Sequence, residues 1–383
     1  MSIFGDRVVR VEDPKLLTEG GTYVADLRIP ELDGAVHVTY VRSTIAHARI
    51  LSIEVDEARG APGVVGVFTA ADVDLADLPP GSPMFNAAMT RPLLARDKVR
   101  FVGEPIAVIL SERPEQGADA AEQVWVDYDP LPAVVDPAAA ATDAVVLHEA
   151  AGTNVVVDLA FGRSDDLFDG CEVVVTHDIV NQRVAAVPLE SRAAAAAWVD
   201  GRLVQWSSTQ HAHGVRDALA GVYGLDKAQV RVITPDVGGG FGAKIGSYQE
   251  ELLLGWLARR VGRPVRWSET RSENMVGLGH GRAQHQTIEI GGSRDGNVAA
   301  YRLTVLQESG AYAEMGSILP YLTRMMAQGT YDIPKVEFNS RSVTTNTTPT
   351  VAYRGAGRPE ATAAIERAMD LFALEIGMDP AEV

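Results

Sequence analysis

The sequence contains one cysteine, Cys171, among 383 residues. A single thiol excludes an intrachain disulfide and any iron–sulfur or zinc site built from several thiolates of this chain. No stretch approaches the ~18 consecutive apolar residues that a membrane-spanning helix needs. The first 13 residues carry five charged side chains and no long apolar core, unlike a signal peptide or an anchor. We therefore expect a cytoplasmic protein that does not associate with a membrane.

Basic residues are also scarce. The 34 lysines and arginines are outnumbered by 51 aspartates and glutamates, which gives a formal net charge of −17. A surface this acidic repels phosphate backbones, so we expect no nucleic-acid partner. Hydrophobic residues make up 46% of the chain and charged residues 22%, as in ordinary globular proteins. The length predicts two or three domains with a substantial core.

A break in composition near residue 140, where Pro137 precedes a run of alanines, predicts the boundary between two domains. We place the first domain at residues 1–140 and the second at residues 141–383. Both domains combine strand-like and helix-like patterns, so the predicted fold class is α+β. The patterns predict strands at 99–110, 124–128, 202–209, 230–234 and 265–268, a hairpin with its turn at 294–296, and helices at 111–123, 211–223, 248–261 and 360–377.

The last five residues have the pattern of a helix start. Asp379 suits the N-cap position, and Pro380 suits the first helical position. The sequence stops at Val383, before such a helix could continue. We therefore expect either a fragment or one half of a protein that a separate chain completes.

The densest motif is GGGFGAK at residues 238–244. Consecutive glycines leave backbone amides bare, and such amides can face an anion or an oxo ligand. A second interpretation is a loose dinucleotide fingerprint, because Gly238, Gly240 and Ala243 have GxGxxA spacing between a predicted strand and a helix. Pro235 and Asp236 separate the strand from the glycines, which argues against that fingerprint. A third interpretation is a flexible connection with no ligand.

The segment VAYRGAGRPE at residues 351–360 is the second motif. Two arginines among glycines just before a helix suit a ligand that bears an anion. The alternative is a surface loop in which Arg358 pairs with Glu360. His211 and His213 also form an HxH pair, but no cysteine or carboxylate cluster accompanies them, so a capping or surface role is favoured over a metal site.

Together with Ser208-Thr209-Gln210, these motifs resemble the large, molybdenum-binding subunit of the xanthine oxidase and aerobic carbon monoxide dehydrogenase family of molybdenum hydroxylases. The resemblance covers essentially the whole chain and implies an N-terminal α/β hammerhead domain, then the first molybdopterin-binding domain, with the second such domain missing. Further segments that resemble the family in the same order lie at residues 5–13, 20–23, 47–50, 99–105, 126–136, 188–190 and 262–273.

The resemblance implies a molybdenum–molybdopterin cofactor, in its cytosine dinucleotide form. By matching position, Gln210 would hydrogen-bond an oxo ligand of the metal, Phe241 would lie at the metal with the glycine-loop amide, and Arg354 would line the opposite side. The other cofactor-binding residues implied are Gly239, Gly240, Gly242 and Gly355. The substrate pocket implied consists of Ile245, Tyr353 and Ala356.

Three departures from the family pattern narrow the substrate. Gly355 stands where the carbon monoxide enzymes have a cysteine that holds a second metal, so oxidation of carbon monoxide is disfavoured. Ile245 stands where purine oxidisers have a glutamate, and Ala356 replaces their stacking phenylalanine. These residues favour an aldehyde or an N-heteroaromatic carbon. The family's general base, a glutamate, belongs to the C-terminal part that this chain lacks, and Glu190 matches a different family segment.

The resulting hypothesis is part of a molybdenum hydroxylase that oxidises a small molecule with water as the oxygen source. Electrons would leave through a [2Fe–2S] small subunit and an FAD medium subunit, because one cysteine cannot hold a cluster. A further chain would supply the C-terminal half. The alternatives are an inactive or assembly subunit of the same family, and a nicotinamide-dependent dehydrogenase.

Overall fold

The computed structural model describes residues 4–5 and 7–383 of the chain. Residues 1–3 of the charged N-terminal segment, and Asp6 of the family-like segment 5–13, lie outside the described residues. No helix in the described part is long and apolar enough to cross a membrane.

Strands and short helices alternate along the chain. The strands are β1 (Val36–Arg42), β2 (Ala48–Glu54), β3 (Val64–Thr69), β4 (Lys98–Val99), β5 (Pro105–Ser111), β6 (Trp125–Pro130), β7 (Val155–Phe161), β8 (Val173–Asn181), β9 (Val184–Ala185), β10 (Ala193–Val199), β11 (Arg202–Ser207), β12 (Val230–Ile233), β13 (Val265–Ser268), β14 (His280–Gly281), β15 (Gln284–Gly292), β16 (Val298–Gly310) and β17 (Lys335–Thr344). The helices are α1 (Asp13–Thr18), α2 (Asp56–Gly60), α3 (Pro114–Ala121), α4 (Pro137–Ala140), α5 (Ala212–Tyr223), α6 (Gln249–Val261), α7 (Arg271–Gly277), α8 (Leu319–Arg324) and α9 (Arg358–Ile376).

A seven-stranded sheet with the order β12-β11-β10-β13-β1-β5-β3 forms the centre of the molecule. Its strands come from both sides of the predicted boundary near residue 140, since β1 pairs in parallel with β13, Val36 opposite Val265. Five alanines of β10 alternate between the two faces of the sheet. Ala194 and Ala196 pack in the core with α6, whose first ten residues are all buried. The small alanine side chains let this helix lie close to the sheet. The division into residues 1–140 and 141–383 stays a prediction.

A five-stranded sheet with the order β7-β17-β16-β15-β8 forms the second layer, and α9 packs on it through Ile365, Met369 and Phe372. The predicted hairpin is confirmed, because β15 and β16 pair in antiparallel register on either side of residues 293–297. The helix predicted at 360–377 is α9, and it ends at Gly377 with φ of +72°. Past it, the Asp379 side chain accepts a hydrogen bond from the Ala381 amide at 2.8 Å, as an N-cap does.

The helices predicted at 211–223 and 248–261 are confirmed as α5 and α6, which end at left-handed glycines, Gly224 and Gly262. The prediction of one strand over 99–110 is wrong. Two strands, β4 and β5, flank a turn in which Gly103 has φ of +103°. The buried Glu104 carboxylate holds this turn by accepting a hydrogen bond from the Arg100 amide at 2.5 Å.

A buried ion network joins the central sheet to α6. The fully buried guanidinium of Arg192 donates to Glu250 at 3.1 Å and to Glu269 at 2.5 Å, and it stacks 4.2 Å from the centre of the Tyr248 ring. Burial disfavours the charged form of Glu250, but the charges of Arg192 and Arg42 outweigh it and lower its pKa to about 2. Glu250 is therefore ionised at neutral pH.

Replacement of Arg192 tests this network. We expect Arg192→Met to lower the free energy of unfolding by about 3–5 kcal/mol, because two buried carboxylates lose their counter-ion. Urea denaturation followed by circular dichroism measures the change. Arg231→Met, at an exposed position of β12 with no partner in the described chain, is the matched control and should cost less than about 0.5 kcal/mol. Equal stability of both variants would contradict the assigned role.

The raised pKa of Glu251 predicts that the stability of the protein depends on pH. Burial raises its pKa from 4.5 to about 7, against the opposing charge of Arg192. The folded state therefore keeps a proton that the unfolded state loses, so this residue's contribution to stability falls as the pH rises from 4.5 to 7, by up to about 1.4 kcal/mol per unit. Denaturation at several pH values should show this slope in the wild type and lose it in Glu251→Gln. Parallel pH profiles for the two proteins would refute the prediction.

Candidate active site

Gln210 lies where the chain leaves β11 for α5, directly over the glycine loop 238–244 that connects β12 to α6. Its Oε1 accepts a hydrogen bond from the Gly242 amide at 2.8 Å. Its Nε2 makes no hydrogen bond in the described part of the chain, and the residue is exposed. The carboxamide is therefore held in one orientation with its two N–H donors available to a ligand.

Lys244, the last residue of the glycine motif, holds Gln210 and the glycine loop in this position. Its carbonyl oxygen accepts hydrogen bonds from the Gln210 amide and the Thr209 hydroxyl, each at 2.9 Å. Its ammonium group, buried inside the protein, donates to the Ser208 hydroxyl at 2.8 Å and to the Glu190 carboxylate at 3.1 Å. One residue therefore connects the glycine loop, the Gln210 segment and the segment of Glu190.

The cluster around Lys244 is charged but enclosed. Burial lowers the pKa of Lys244, although the Glu190 carboxylate opposes that shift. Oε2 of Glu190 accepts from three donors, namely the Ser208 hydroxyl, the Gly238 amide and the Lys244 ammonium. Its Oε1 is buried and has no hydrogen-bond partner in the described residues. Because Glu190 occupies the Gly238 amide, that amide is not free to bind a phosphate.

This geometry differs from the dinucleotide fingerprint. The fingerprint needs a helix that starts at the glycines and bare amides at its N-terminus. Here α6 begins only at Gln249, well after Ala243, and the Gly238 amide is taken by Glu190. The glycine loop thus directs the Gly242 amide toward Gln210.

The glycine loop has a conformation that few side chains allow. Gly239 and Gly242 have φ of +104° and +98°, and Phe241 between them has φ of +53°. A Cβ on Gly242 would lie 2.8 Å from the carbonyl oxygen of Ala352, so the loop and the second motif touch here. Positive φ at a phenylalanine is strained, and such strain concentrates at ligand sites.

The second motif connects β17 to α9, and Arg282 holds it. The Arg282 guanidinium donates to the carbonyl oxygen of Arg354 at 2.7 Å, pairs with the fully buried Glu360 at 3.2 Å, and stacks 4.7 Å from the centre of the Tyr353 ring. The alternative of an Arg358–Glu360 pair is therefore wrong. Arg358 instead donates to the carbonyl oxygen of Gly355 at 3.2 Å.

Backbone strain also marks this second loop. In the described chain, three of the seven non-glycine residues with positive φ lie in these two motifs or at the arginine that holds one of them, and a fourth directly follows that arginine. They are Phe241, Arg282, Ala283 and Ala356.

A cleft with a cavity volume of about 60 Å³ opens beside Gly242. Its lining includes the apolar residues Ile245, Val351 and Met315 and the charged residues Arg91 and Glu314. Tyr353 and Ala356, predicted for the substrate pocket together with Ile245, do not line this cleft. The structure thus places Ile245 in the cleft and the other two on the adjacent loop.

The residues predicted to bind the cofactor are distributed over two loops. Gln210 and Gly242 are in direct contact, and a Cβ on Gly240 would lie 2.5 Å from Oε1 of Gln210. Gly239 and Phe241 belong to the same loop. Arg354 and Gly355 are exposed on the second loop, where the Arg354 side chain makes no hydrogen bond or ion pair within the described residues.

Sequence patterns did not identify Glu190, Lys244 or Arg282 as site residues. Lys244 stands in the glycine motif, so its position was a usable signal. Arg282 carried no such signal, because its partners Tyr353 and Glu360 follow it at a distance along the chain. His211 occupies the N-cap position of α5 without a side-chain capping bond, and among the described residues no group of three or more His, Cys, Asp or Glu is arranged to hold a metal ion.

The donors of the site suit an anionic or oxo-bearing group. Gln210 offers a neutral N–H₂ group, and Arg354 offers an unpaired guanidinium. Neutral, fixed donors stabilise negative charge on oxygen without competing as metal ligands. A molybdenum cofactor with oxo ligands therefore fits these residues, because the metal would be held through its organic ligand and its oxo groups.

Two family models match the chain. Residues 18–132 match the aldehyde oxidase and xanthine dehydrogenase a/b hammerhead domain, and residues 147–383 match the molybdopterin cofactor-binding domain. The chain thus consists of a hammerhead domain followed by a molybdopterin-binding domain, as its sequence predicted.

Known proteins resemble the chain over its whole length. It is 35% identical to the nicotine 6-hydroxylase large subunit of Paenarthrobacter nicotinovorans, covering 100% of the chain and 48% of the relative. The crystal structure of quinoline 2-oxidoreductase from Pseudomonas putida 86 superposes with a TM-score of 0.92 at 35% identity, covering 99% of the chain and 49% of that protein. The nicotinate dehydrogenase large molybdopterin subunit of Eubacterium barkeri is 28% identical, covering 100% of the chain and 88% of the relative.

The chain spans about half the length of the nicotine 6-hydroxylase subunit and of the quinoline 2-oxidoreductase chain that it matches. The match extends through both loops of the site. The chain therefore belongs to the xanthine dehydrogenase and aldehyde oxidase family of molybdenum-dependent oxidoreductases, and it corresponds to part of that family's molybdopterin-binding large subunit.

Proposed function

We propose that this chain forms one part of the active site of a molybdenum hydroxylase that oxidises a carbon of an N-heteroaromatic ring. The observation that carries the proposal is the Gln210 carboxamide, which is fixed by the Gly242 amide and keeps its N–H₂ group free beside the glycine loop. An aldehyde is the second candidate substrate, because the family also contains the aldehyde oxidoreductase of Megalodesulfovibrio gigas, which is 30% identical.

The proposed cofactor site is built from both loops. Gln210 and Phe241 from one side, and Arg354 from the other, would lie nearest the metal, and the pterin would be the cytosine dinucleotide form. The bound cofactor supplies the oxidising power and the oxygen derived from water. The residues of this chain orient it by hydrogen bonds and hold its negative charge. The remaining members of the proposed set are Gly239, Gly240, Gly242 and Gly355.

The substrate proposal rests on the cleft and on the relatives. Ile245 gives the cleft an apolar wall, and Tyr353 and Ala356 would complete the pocket from the second loop. Gly355 cannot hold a second metal as a cysteine can, which disfavours oxidation of carbon monoxide. The relatives named for nicotine and quinoline support a ring substrate.

The assembly proposal follows from the single cysteine and from the relatives. Electrons would pass to a [2Fe–2S] small subunit and an FAD medium subunit, because one cysteine cannot hold a cluster. A further chain would supply the rest of the large subunit with the general base, and the nicotinate dehydrogenase subunit, of which this chain spans 88%, supports such a division. We place the complex in the cytoplasm. An inactive or assembly subunit is the competing proposal, and molybdenum content separates the two.

Substitution of Gln210 tests the proposed donor. Gln210→Ala removes both the donor and the acceptor of the carboxamide, whereas Gln210→Glu keeps an acceptor for the Gly242 amide. We expect turnover per molybdenum to fall about 10²-fold or more in both variants, because each loses the N–H₂ donor. Steady-state kinetics of the purified complex, normalised to molybdenum content, measures the effect. Wild-type turnover in Gln210→Glu would show that only the loop contact matters.

Substitution of Gly242 tests cofactor binding itself. The wild-type complex, purified from its native host, should contain stoichiometric molybdenum by elemental analysis. Gly242→Val should contain little, because a side chain would collide with Ala352 and cannot adopt φ of +98° without strain. Gly221→Val is the control, since a Cβ there meets no atom within 4 Å. Full molybdenum content in Gly242→Val would exclude the loop from the site, and no molybdenum in the wild type would favour the inactive subunit.

A further inference from the structure

Apolar residues form most of the lining of the cleft beside Gly242, together with one ion pair. Ile245, Met315, Pro349 and Val351 are among the apolar residues, and Arg91 and Glu314 are the charged ones. Such a lining binds an apolar body and orients any polar substituent toward the charged residues. The more exposed charge therefore determines which substituent is accepted.

Glu314 has an unsatisfied carboxylate oxygen. Its Oε1 accepts a hydrogen bond from the Arg91 guanidinium at 3.1 Å, while its Oε2 has no hydrogen bond within the described residues. The Glu314 side chain is 32% exposed, whereas the Arg91 side chain is only 7% exposed. A ligand in the cleft thus meets mainly the carboxylate.

Arg91 is held behind Glu314 by two aromatic rings. Its guanidinium lies 5.0 Å from the centre of the Tyr312 ring and 5.9 Å from that of Phe101. Its Nε is buried without a hydrogen-bond partner in the described chain. The arginine therefore fixes the position of Glu314, and its own side chain is the less exposed of the two.

The other residues that line the cleft are uncharged. The hydroxyl of Tyr248 donates to the carbonyl oxygen of Ala243 at 2.6 Å, so it is not free. The charges of Arg192, Glu250 and Glu251 lie buried and do not line the cleft. Glu314 is the accessible charge among the lining residues.

We propose that Glu314 determines substrate specificity by binding a protonated amine on the substrate's side chain, while the apolar walls hold its ring. The substrate class is then an N-heteroaromatic compound with a cationic aliphatic nitrogen. This inference rests on the proposed function and adds the charge of the substrate to it.

Two probes of the same shape test the proposal in the assembled enzyme. 3-(Aminomethyl)pyridine carries an ammonium group at neutral pH, and 3-ethylpyridine replaces that group with a methyl group. Isothermal titration calorimetry should show tighter binding of the amine by about 10- to 100-fold in the wild type, as a charge-assisted hydrogen bond gives. Glu314→Gln should remove this preference without weakening the binding of 3-ethylpyridine.

Two further variants keep the test decisive. Glu314→Asp retains the charge and should keep most of the preference, and Glu375→Gln, at an exposed position of α9, should behave as the wild type. Equal binding of both probes by the wild type, or an equal loss for both probes in Glu314→Gln, would overturn the inference. Oxidation of either probe is scored separately in the molybdenum-loaded complex, because it tests the proposed function and not the role of Glu314.

Discussion

The site depends on the contacts of the buried Lys244 side chain, above all on its ion pair with Glu190. This side chain lies where the glycine loop, the end of β11 and the segment of Glu190 meet. The ammonium group binds oxygen atoms of the latter two segments, and the carbonyl oxygen of Lys244, itself part of the glycine loop, accepts a further hydrogen bond from the segment that follows β11. A buried cation without its carboxylate, or a buried carboxylate without its cation, destabilises the folded protein. The pair therefore holds the three segments in one arrangement. Gln210 acquires its orientation from this arrangement, because both its backbone amide and its side chain contact the loop that Lys244 terminates.

The second loop has a comparable anchor, made from different chemistry. Arg282 binds the backbone of this loop and the buried Glu360 at the start of α9, so the loop and the helix are fixed together. Lys244 and Arg282 are both charged residues that hold a loop with a strained backbone. Packing of α6 and α9 on their sheets supplies the stability that such strain requires. The site is thus carried by the two layers of the fold, with one loop contributed by each.

Much of this organisation was predictable from local sequence. Glycines marked the ends of α5, α6 and α9, and the turn sequence at residues 294–296 marked the hairpin of β15 and β16. The glycine motif and the segment around Arg354 also identified the two loops of the site. The failures share a physical cause. The turn between β4 and β5 depends on Glu104, whose carboxylate also accepts a hydrogen bond from the hydroxyl of Tyr312. The anchoring of the second loop depends on Arg282, and both residues thus act through contacts with residues remote in sequence. The ion pair that lines the cleft likewise requires Arg91 and Glu314, which only the tertiary structure brings together.

The pairing of β1 with β13 has a consequence for biosynthesis. Val36 leaves the ribosome long before its partner Val265, so β1 remains an uncovered sheet edge during much of translation. Contacts of such high sequence separation form late and slow folding, since loop closure precedes any gain from pairing. The nascent chain therefore has a prolonged interval in which an apolar edge can pair with another molecule. Protection by chaperones during that interval would matter more for this protein than for one whose N-terminal part completes its own sheet.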